Sequence, residues 1–130
     1  MHWSYILIAG LVLAGIVLLK RRAWLPVPAA RARLQDGALL VDVRSVDEFR
    51  ARHLPGALNI PWSDLAEQAP GRLPDKNRVL LLHCLSGTRS SLARRALRGM
   101  GYPNVFNLGS YGRAQRVVEG TLTSSCQTDA

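Results

Sequence analysis

The sequence predicts an α/β layer fold with a largely parallel sheet, preceded by one transmembrane helix. Three observations carry that expectation. From residue 29 onward, short apolar runs alternate with amphipathic, helix-like segments. Ahead of them, residues 6–19 form an unbroken apolar stretch. Two of the short apolar runs end on chemically distinct residues, Asp42 and Cys84, and in open α/β sheets the functional crevice lies at the carboxyl ends of the strands.

The apolar stretch comes first. Ile6 to Leu19 is 14 residues without a charge, roughly 21 Å of helix at 1.5 Å per residue. A bilayer core needs about 30 Å, and the flanks supply the difference. Trp3 and Tyr5 on one side and Trp24 on the other are rings suited to the two interfaces, and Trp3 to Trp24 spans roughly 33 Å as a helix. Lys20, Arg21 and Arg22 follow the run directly. A secretory signal peptide has the reverse order, with basic residues first and a small-residue cleavage site after. The segment 1–24 therefore reads as an uncleaved, single-pass anchor held in the membrane through residues 3–24. The basic cluster puts the rest of the chain in the cytoplasm.

The charge balance fits the same picture. The chain has 17 Lys+Arg against 9 Asp+Glu, a net charge of +8. Residues 20–33 hold Lys20, Arg21, Arg22, Arg31 and Arg33 and no acid, a juxtamembrane stretch that meets anionic head groups. Nucleic acid is not called for: Arg94, Arg95 and Arg98 read as a solvated helix face without interleaved aromatics.

The globular part is expected over 29–120, after a linker at 25–28 where Pro26 and Pro28 stop the helix. A polar, frayed tail is expected over 121–130. Residues 38–43 follow the turn signal Asp36-Gly37 and read as a buried strand. Residues 46–53 fit one or two helical turns, Leu54-Pro55-Gly56 a turn, and 57–60 a short strand. Residues 62–69 read as a helix, with Ser63 a candidate cap, and Pro70-Gly71 and Pro74 as a loop. The next buried strand is 79–83. Residues 88–100 form a clear helix, apolar at 92, 93, 96, 97 and 100, ended by Gly101-Tyr102-Pro103. A last strand at 104–108 and a last helix at 111–118 complete the domain.

The chemistry gathers at His83-Cys84-Leu85-Ser86-Gly87-Thr88-Arg89. A cysteine leaves an apolar strand, and a short loop leads to Arg89 at the mouth of a helix. Backbone N–H groups of 85–89 can turn inward as an anion-binding nest. The helix N-terminus and Arg89 add positive potential, favouring the thiolate. The same cradle suits a second anionic group on the sulfur, and Gly87 permits a backbone turn at positive φ. Cys84 and Cys126 are too few for a disulfide framework, and there is no Cys-x-x-Cys or Cys/His cluster to bind a metal. His83 alternates to the opposite sheet face and is not expected to act as a base.

Taken together, these residues resemble a single-domain rhodanese, a sulfurtransferase. The likeness covers about residues 29–120. It rests on Asp42-Val43-Arg44, Glu48-Phe49, the segment from His53 through Leu54-Pro55-Gly56 to Pro61, the Cys84–Arg89 loop, and Asn107-Leu108-Gly109. It implies a rhodanese-like fold, a parallel five-stranded sheet flanked by helices. It implies that Cys84 takes a sulfane sulfur from a small anion such as thiosulfate and holds it as a persulfide. The sulfur then passes to a thiophilic acceptor such as cyanide or a protein thiol, with no cofactor. Leu85, Ser86, Gly87, Thr88 and Arg89 would form the substrate cradle, with Arg89 also attracting the donor. Asp42 and Arg44 are possible supports: Asp42 braces the cysteine loop or caps the next helix, and Arg44 can pair with Glu48 at i, i+4. His53 fastens the turn before Pro55. One departure stands out. Many rhodanese domains carry a tryptophan after the last strand, on a face that borders the site, and residues 109–115 here have none.

Two other readings compete. A cysteine phosphatase or arsenate reductase uses a similar loop, but with five residues between cysteine and arginine where this chain has four. The other is a tethered, non-catalytic module: degenerate rhodanese domains usually lose the cysteine, so Cys84 argues against a pure binding module, while a redox-sensing thiol stays open. Cys126, in the tail, is an ordinary thiol or a second sulfur carrier.

Overall fold

The computed structural model describes residues 2–128. The side chains of Lys20, Arg21 and Arg22, on which the expected orientation rests, lie outside the described set, as do residues 129–130. Helix α1 (His2–Arg22) is continuous. Its first 18 residues have a mean hydropathy of 2.1 and none is buried in the protein. It is long and apolar enough to cross a membrane.

Helix α2 (Val27–Gln35) begins where a linker was expected. Pro26 and Pro28 flank its first residue, where helical N–H groups have no intrahelical acceptor, so prolines start this helix rather than only stopping the last one. Strand β1 (Leu39–Asp42), helix α3 (Val46–Ala51), strand β2 (Leu58–Asn59) and a 3-10 turn at Trp62–Asp64 follow. Helix α4 (Leu65–Arg72), strand β3 (Leu80–His83), helix α5 (Thr88–Gly99), strand β4 (Val105–Gly109) and helix α6 (Tyr111–Thr128) complete the chain.

The sheet has four strands in the order β2-β1-β3-β4, all parallel. The fifth strand that the resemblance implied is not formed among the described residues. The chain does pass the free edge of β4: Leu25 N–H donates to the Asn107 carbonyl at 2.9 Å. The next residue is Pro26, which has no N–H to continue a ladder, and the chain turns into α2.

Side chains alternate across the sheet. Val41, Val43, Leu80, Leu82, Cys84 and Val105 face α4 and α5, packed on Leu65, Ala69, Ala93 and Leu97. Leu40, Leu81 and Leu108 face α2 and α6, packed on Ala30, Tyr111, Ala114 and Val117. Each fully buried leucine contributes about 1.5–3 kcal/mol. Burial on both faces explains why these strands read as unbroken apolar runs.

Two further boundaries differ from expectation. Pro70 and Gly71 lie inside α4. The end of that helix is held despite the lost i−4 bond, because Tyr102 Oη stands 2.9 Å from the Leu73 carbonyl and 3.3 Å from that of Ala69 and shares its one proton between them. Helix α6 continues to Thr128, past the last buried residue, Val118. The hydroxyls of Thr121, Thr123 and Ser125 donate back to carbonyls three or four residues earlier along this exposed extension.

Candidate active site

Cys84 follows the last residue of β3 and is fully buried. Its own N–H donates to the Gly109 carbonyl at 3.2 Å, which fixes the start of the loop against the end of β4. The chain then reverses through Gly87, whose φ of 96° is open to glycine and costly for other residues. That reversal aims the Gly87 N–H at Cys84 Sγ, 3.0 Å away. Ser90, one turn into α5 and buried, places its hydroxyl 3.5 Å from the sulfur and 3.1 Å from the Gly87 carbonyl. A hydroxyl has one proton, so it serves the carbonyl or the sulfur and can swing to the sulfur when that becomes an anion.

Burial alone would raise the Cys84 pKa, and it is the largest single influence. The Ser90 hydroxyl and the N–H groups of Ser90, Gly87 and Ser86 together outweigh it, and the thiol sits below its ordinary value. Of the five expected cradle residues, Ser86 and Gly87 act on the sulfur through their backbone. Leu85 turns its side chain outward, 58% exposed, and its carbonyl accepts from Tyr111 N–H. Thr88 opens α5 with its side chain exposed.

Arg89 is not a free cation. Its guanidinium grips Glu48 in a two-point pair, Nη1 to Oε2 at 2.7 Å and Nη2 to Oε1 at 3.0 Å. Arg89, the Ser45 N–H and the Ser45 hydroxyl hold the Glu48 pKa at about 2. Glu48 is also one half of the capping box that starts α3, with Ser45 as the other. The first turn of α3 is thereby tied to the cysteine loop across 41 residues.

This architecture can be compared with known proteins. The family model described as a rhodanese-like domain matches residues 27–112. The chain belongs to that family. A thiosulfate sulfurtransferase of Escherichia coli (strain K12), PspE, is 36% identical over 69 residues, which span 53% of this chain and 66% of PspE. The thiosulfate sulfurtransferase GlpE of Pseudomonas syringae is 30% identical over 84 residues, 65% of this chain and 77% of GlpE. Among solved structures, the human single-domain sulfurtransferase TSTD1 superposes with a TM-score of 0.62 at 33% identity, covering 72% of this chain and 96% of that one.

In this rhodanese-like domain the remaining expected residues fall elsewhere. Asp42 neither braces the cysteine loop nor caps α3, whose cap is Ser45. Its buried carboxylate is taken by Arg44, through the backbone N–H at 2.9 Å, Nε at 3.0 Å and Nη2 at 2.7 Å. Arg44 therefore does not pair with Glu48. It also donates to the Arg52 carbonyl at 2.6 Å and lies over the Tyr111 ring. His83 pairs in register with Asp42 and points away from Cys84, its ring edge-on to Tyr111. Neither ring nitrogen has a hydrogen-bond partner among the described residues. Burial pushes its pKa down, against the pull of the Asp42 carboxylate 3.8 Å away. His53 Nδ1–H donates to the Phe49 carbonyl, 2.9 Å away, and the ring stacks on Phe49, closing α3. Cys126 is exposed on α6.

Sequence reasoning missed three contributors. Ser90 is one, though a serine in the first turns of the helix after a nucleophile is a readable signal. The second is Glu48 as partner of Arg89. The third is Trp24, expected at the membrane interface, whose ring lies against Gly87 of the cysteine loop and Gly109.

Proposed function

We propose that the chain is a membrane-anchored sulfurtransferase whose Cys84 carries sulfane sulfur as a persulfide. The observation that carries this reading is the convergence of N–H and O–H donors on one buried sulfur with a lowered pKa. The Cys84 thiolate attacks the outer sulfur of thiosulfate. A new S–S bond forms, the old one breaks, and sulfite departs with the electron pair. The persulfide's terminal sulfur bears the negative charge, and the loop donors stabilise it. An acceptor nucleophile then attacks that terminal sulfur; cyanide leaves as thiocyanate and Cys84 returns as thiolate. No oxidant or reductant is consumed.

The apolar, exposed α1 supports tethering to a membrane, and the basic residues after it support a domain on the cytoplasmic side. Sheet-fold relatives named thiosulfate sulfurtransferase support the choice of donor. Intact-mass analysis after incubation with thiosulfate tests the chemistry: wild type should gain one sulfur atom, released by cyanide, and Cys84→Ser should gain none. Equal turnover by the serine variant would overturn the reading. A reporter fused after Ala130 should behave as cytoplasmic; periplasmic phosphatase activity from that fusion would reverse the orientation.

A further inference from the structure

Trp24 stands two residues beyond the end of α1, and its indole lies against the cysteine loop. The contact is made possible by two glycines of positive φ, Gly87 in the loop and Gly109 at the end of β4. A Cβ on Gly109 would stand 2.5 Å from Trp24 Cδ2, and one on Gly87 would stand 2.8 Å from Cζ2. The ring thus occupies the room left by two absent side chains. The backbone just after it is pinned as well. Leu25 N–H donates to the Asn107 carbonyl, and Arg113, whose guanidinium stands 5.6 Å from the indole centroid, donates to the carbonyls of Leu25 and Leu108. Buried Asn107 completes the frame, accepting from Gly109 N–H at 2.8 Å and donating to the Gly87 carbonyl at 3.4 Å. A cavity of about 190 Å³ opens beside the ring, lined by Ala23, Trp24, Gly87 and Leu92 among others.

The Gly87 N–H stands 3.0 Å from the sulfur, closer than the Ser90 hydroxyl at 3.5 Å. A glycine at positive φ has wide conformational freedom, and nothing in its own side chain restrains it. The Ser90 hydroxyl, the Ser91 N–H and Asn107 hold its carbonyl, and the Trp24 ring is the side chain packed against its Cα. We propose that Trp24 is a positioning residue for sulfur transfer, holding the Gly87 N–H on Cys84 Sγ and so making the anchor's exit a working part of the active site. The consequence for the whole molecule is that the exit of α1 and the reactive loop move together.

The proposal rests on Cys84 being the sulfur carrier, and its test separates the two claims. Full-length protein in detergent is compared as wild type, Trp24→Ala, Trp24→Phe and Trp3→Ala. Trp3 is 82% exposed on α1 and reports any general effect of losing an anchor tryptophan. The first readout is the pH profile of Cys84 alkylation by iodoacetamide, which needs no sulfur chemistry. Arg89, paired with Glu48, is the charged group facing the thiol; Asp42, Arg44 and His83 lie on the other sheet face. Trp24→Ala should move the profile to higher pH and slow persulfide formation by about tenfold, the scale expected when a donor loses its aim. Trp24→Phe should restore most of both, and Trp3→Ala should match wild type. If Trp24→Ala keeps the wild-type alkylation profile while its thermal midpoint falls, the tryptophan only holds the fold and the proposal is overturned. If wild type alkylates at low pH but never takes sulfur from thiosulfate, the sulfurtransferase reading fails while the role of Trp24 in setting the thiol still stands or falls on its own profile.

Discussion

The chain leaves its sheet beside the site twice, after β1 and after β3, and handles an acidic group differently each time. At the β1 exit, the Asp42 carboxylate is matched by a full cation, the Arg44 guanidinium, with the Arg44 backbone N–H as a further donor. At the β3 exit, the Cys84 sulfur is met by dipoles: one serine hydroxyl and backbone N–H groups. The nearby cation there, Arg89, is already neutralised by Glu48. The two exits are neighbours in register, since Asp42 pairs with His83, yet they act on opposite faces. A charge matched by a charge in a buried pair is locked, and the pair holds structure. An anion held by converging dipoles can be exchanged for another of similar size, so the same donors can serve a thiolate or a persulfide.

The largest expected effect breaks the second exit outright. Cys84→Ser should lower thiosulfate:cyanide turnover by at least about a thousandfold, because the hydroxyl is not ionised at neutral pH and cannot hold sulfane sulfur. Its thermal midpoint should stay near wild type, since serine is nearly isosteric. Asp42→Ala breaks the first exit instead. Removing one partner of a buried pair leaves Arg44 uncompensated and should cost about 3–5 kcal/mol in denaturant melts. Sulfur transfer per folded molecule should be unchanged. A loss of activity without loss of stability in Asp42→Ala would show that the two exits are not separable.

These two exits also show how far the sequence could be read. Short, doubly buried strands and the amphipathic α5 announce themselves through local pattern, so the alternation, the Cys84 loop and the orientation of His83 were all legible. The Asp42–Arg44 pair was legible too, but under the wrong period. Arg44 was compared with Glu48 at helical spacing, whereas residues two apart in an extended chain share a face. Glu48–Arg89 and Trp24–Gly109 were out of reach because they join residues far apart in sequence, and no local pattern encodes such contacts. The missing fifth strand turns on Pro26: a proline marks where a ladder cannot continue but does not say that the segment otherwise runs along β4.

A smaller change weakens the dipole cradle without destroying it. Ser90→Ala removes one donor and leaves the backbone N–H groups in place. The pKa of Cys84 is held down partly by that hydroxyl, so its loss should raise the pKa and move the alkylation profile to higher pH. Persulfide formation should slow by about tenfold, in line with one hydrogen bond to a charged group. A profile that stays in place would assign the lowered pKa to the backbone alone.

The smallest expected effect concerns the ion pair that separates the two kinds of exit. Glu48 cancels Arg89, and both side chains are about one-third exposed, at 33% and 35%, so the pair contributes no more than about 1 kcal/mol to stability. The sign with pH follows from the lowered Glu48 value. Its pKa in the fold, about 2, lies below the ordinary 4.5, so this contribution is complete above about 4.5 and disappears as the pH falls toward 2. Glu48→Gln keeps the shape and the bonds to Ser45 but removes the negative charge. The positive charge of Arg89 then acts on an approaching anion without cancellation. The KM for thiosulfate should fall by about two- to threefold at low ionic strength, with kcat little changed, and the gain should vanish in high salt as the charges are screened. A KM that instead rises, at every salt concentration, would mean that Glu48 serves the site by aiming the Arg89 fork rather than by neutralising it. The β3 exit would then depend on a charge pair after all, as the β1 exit does.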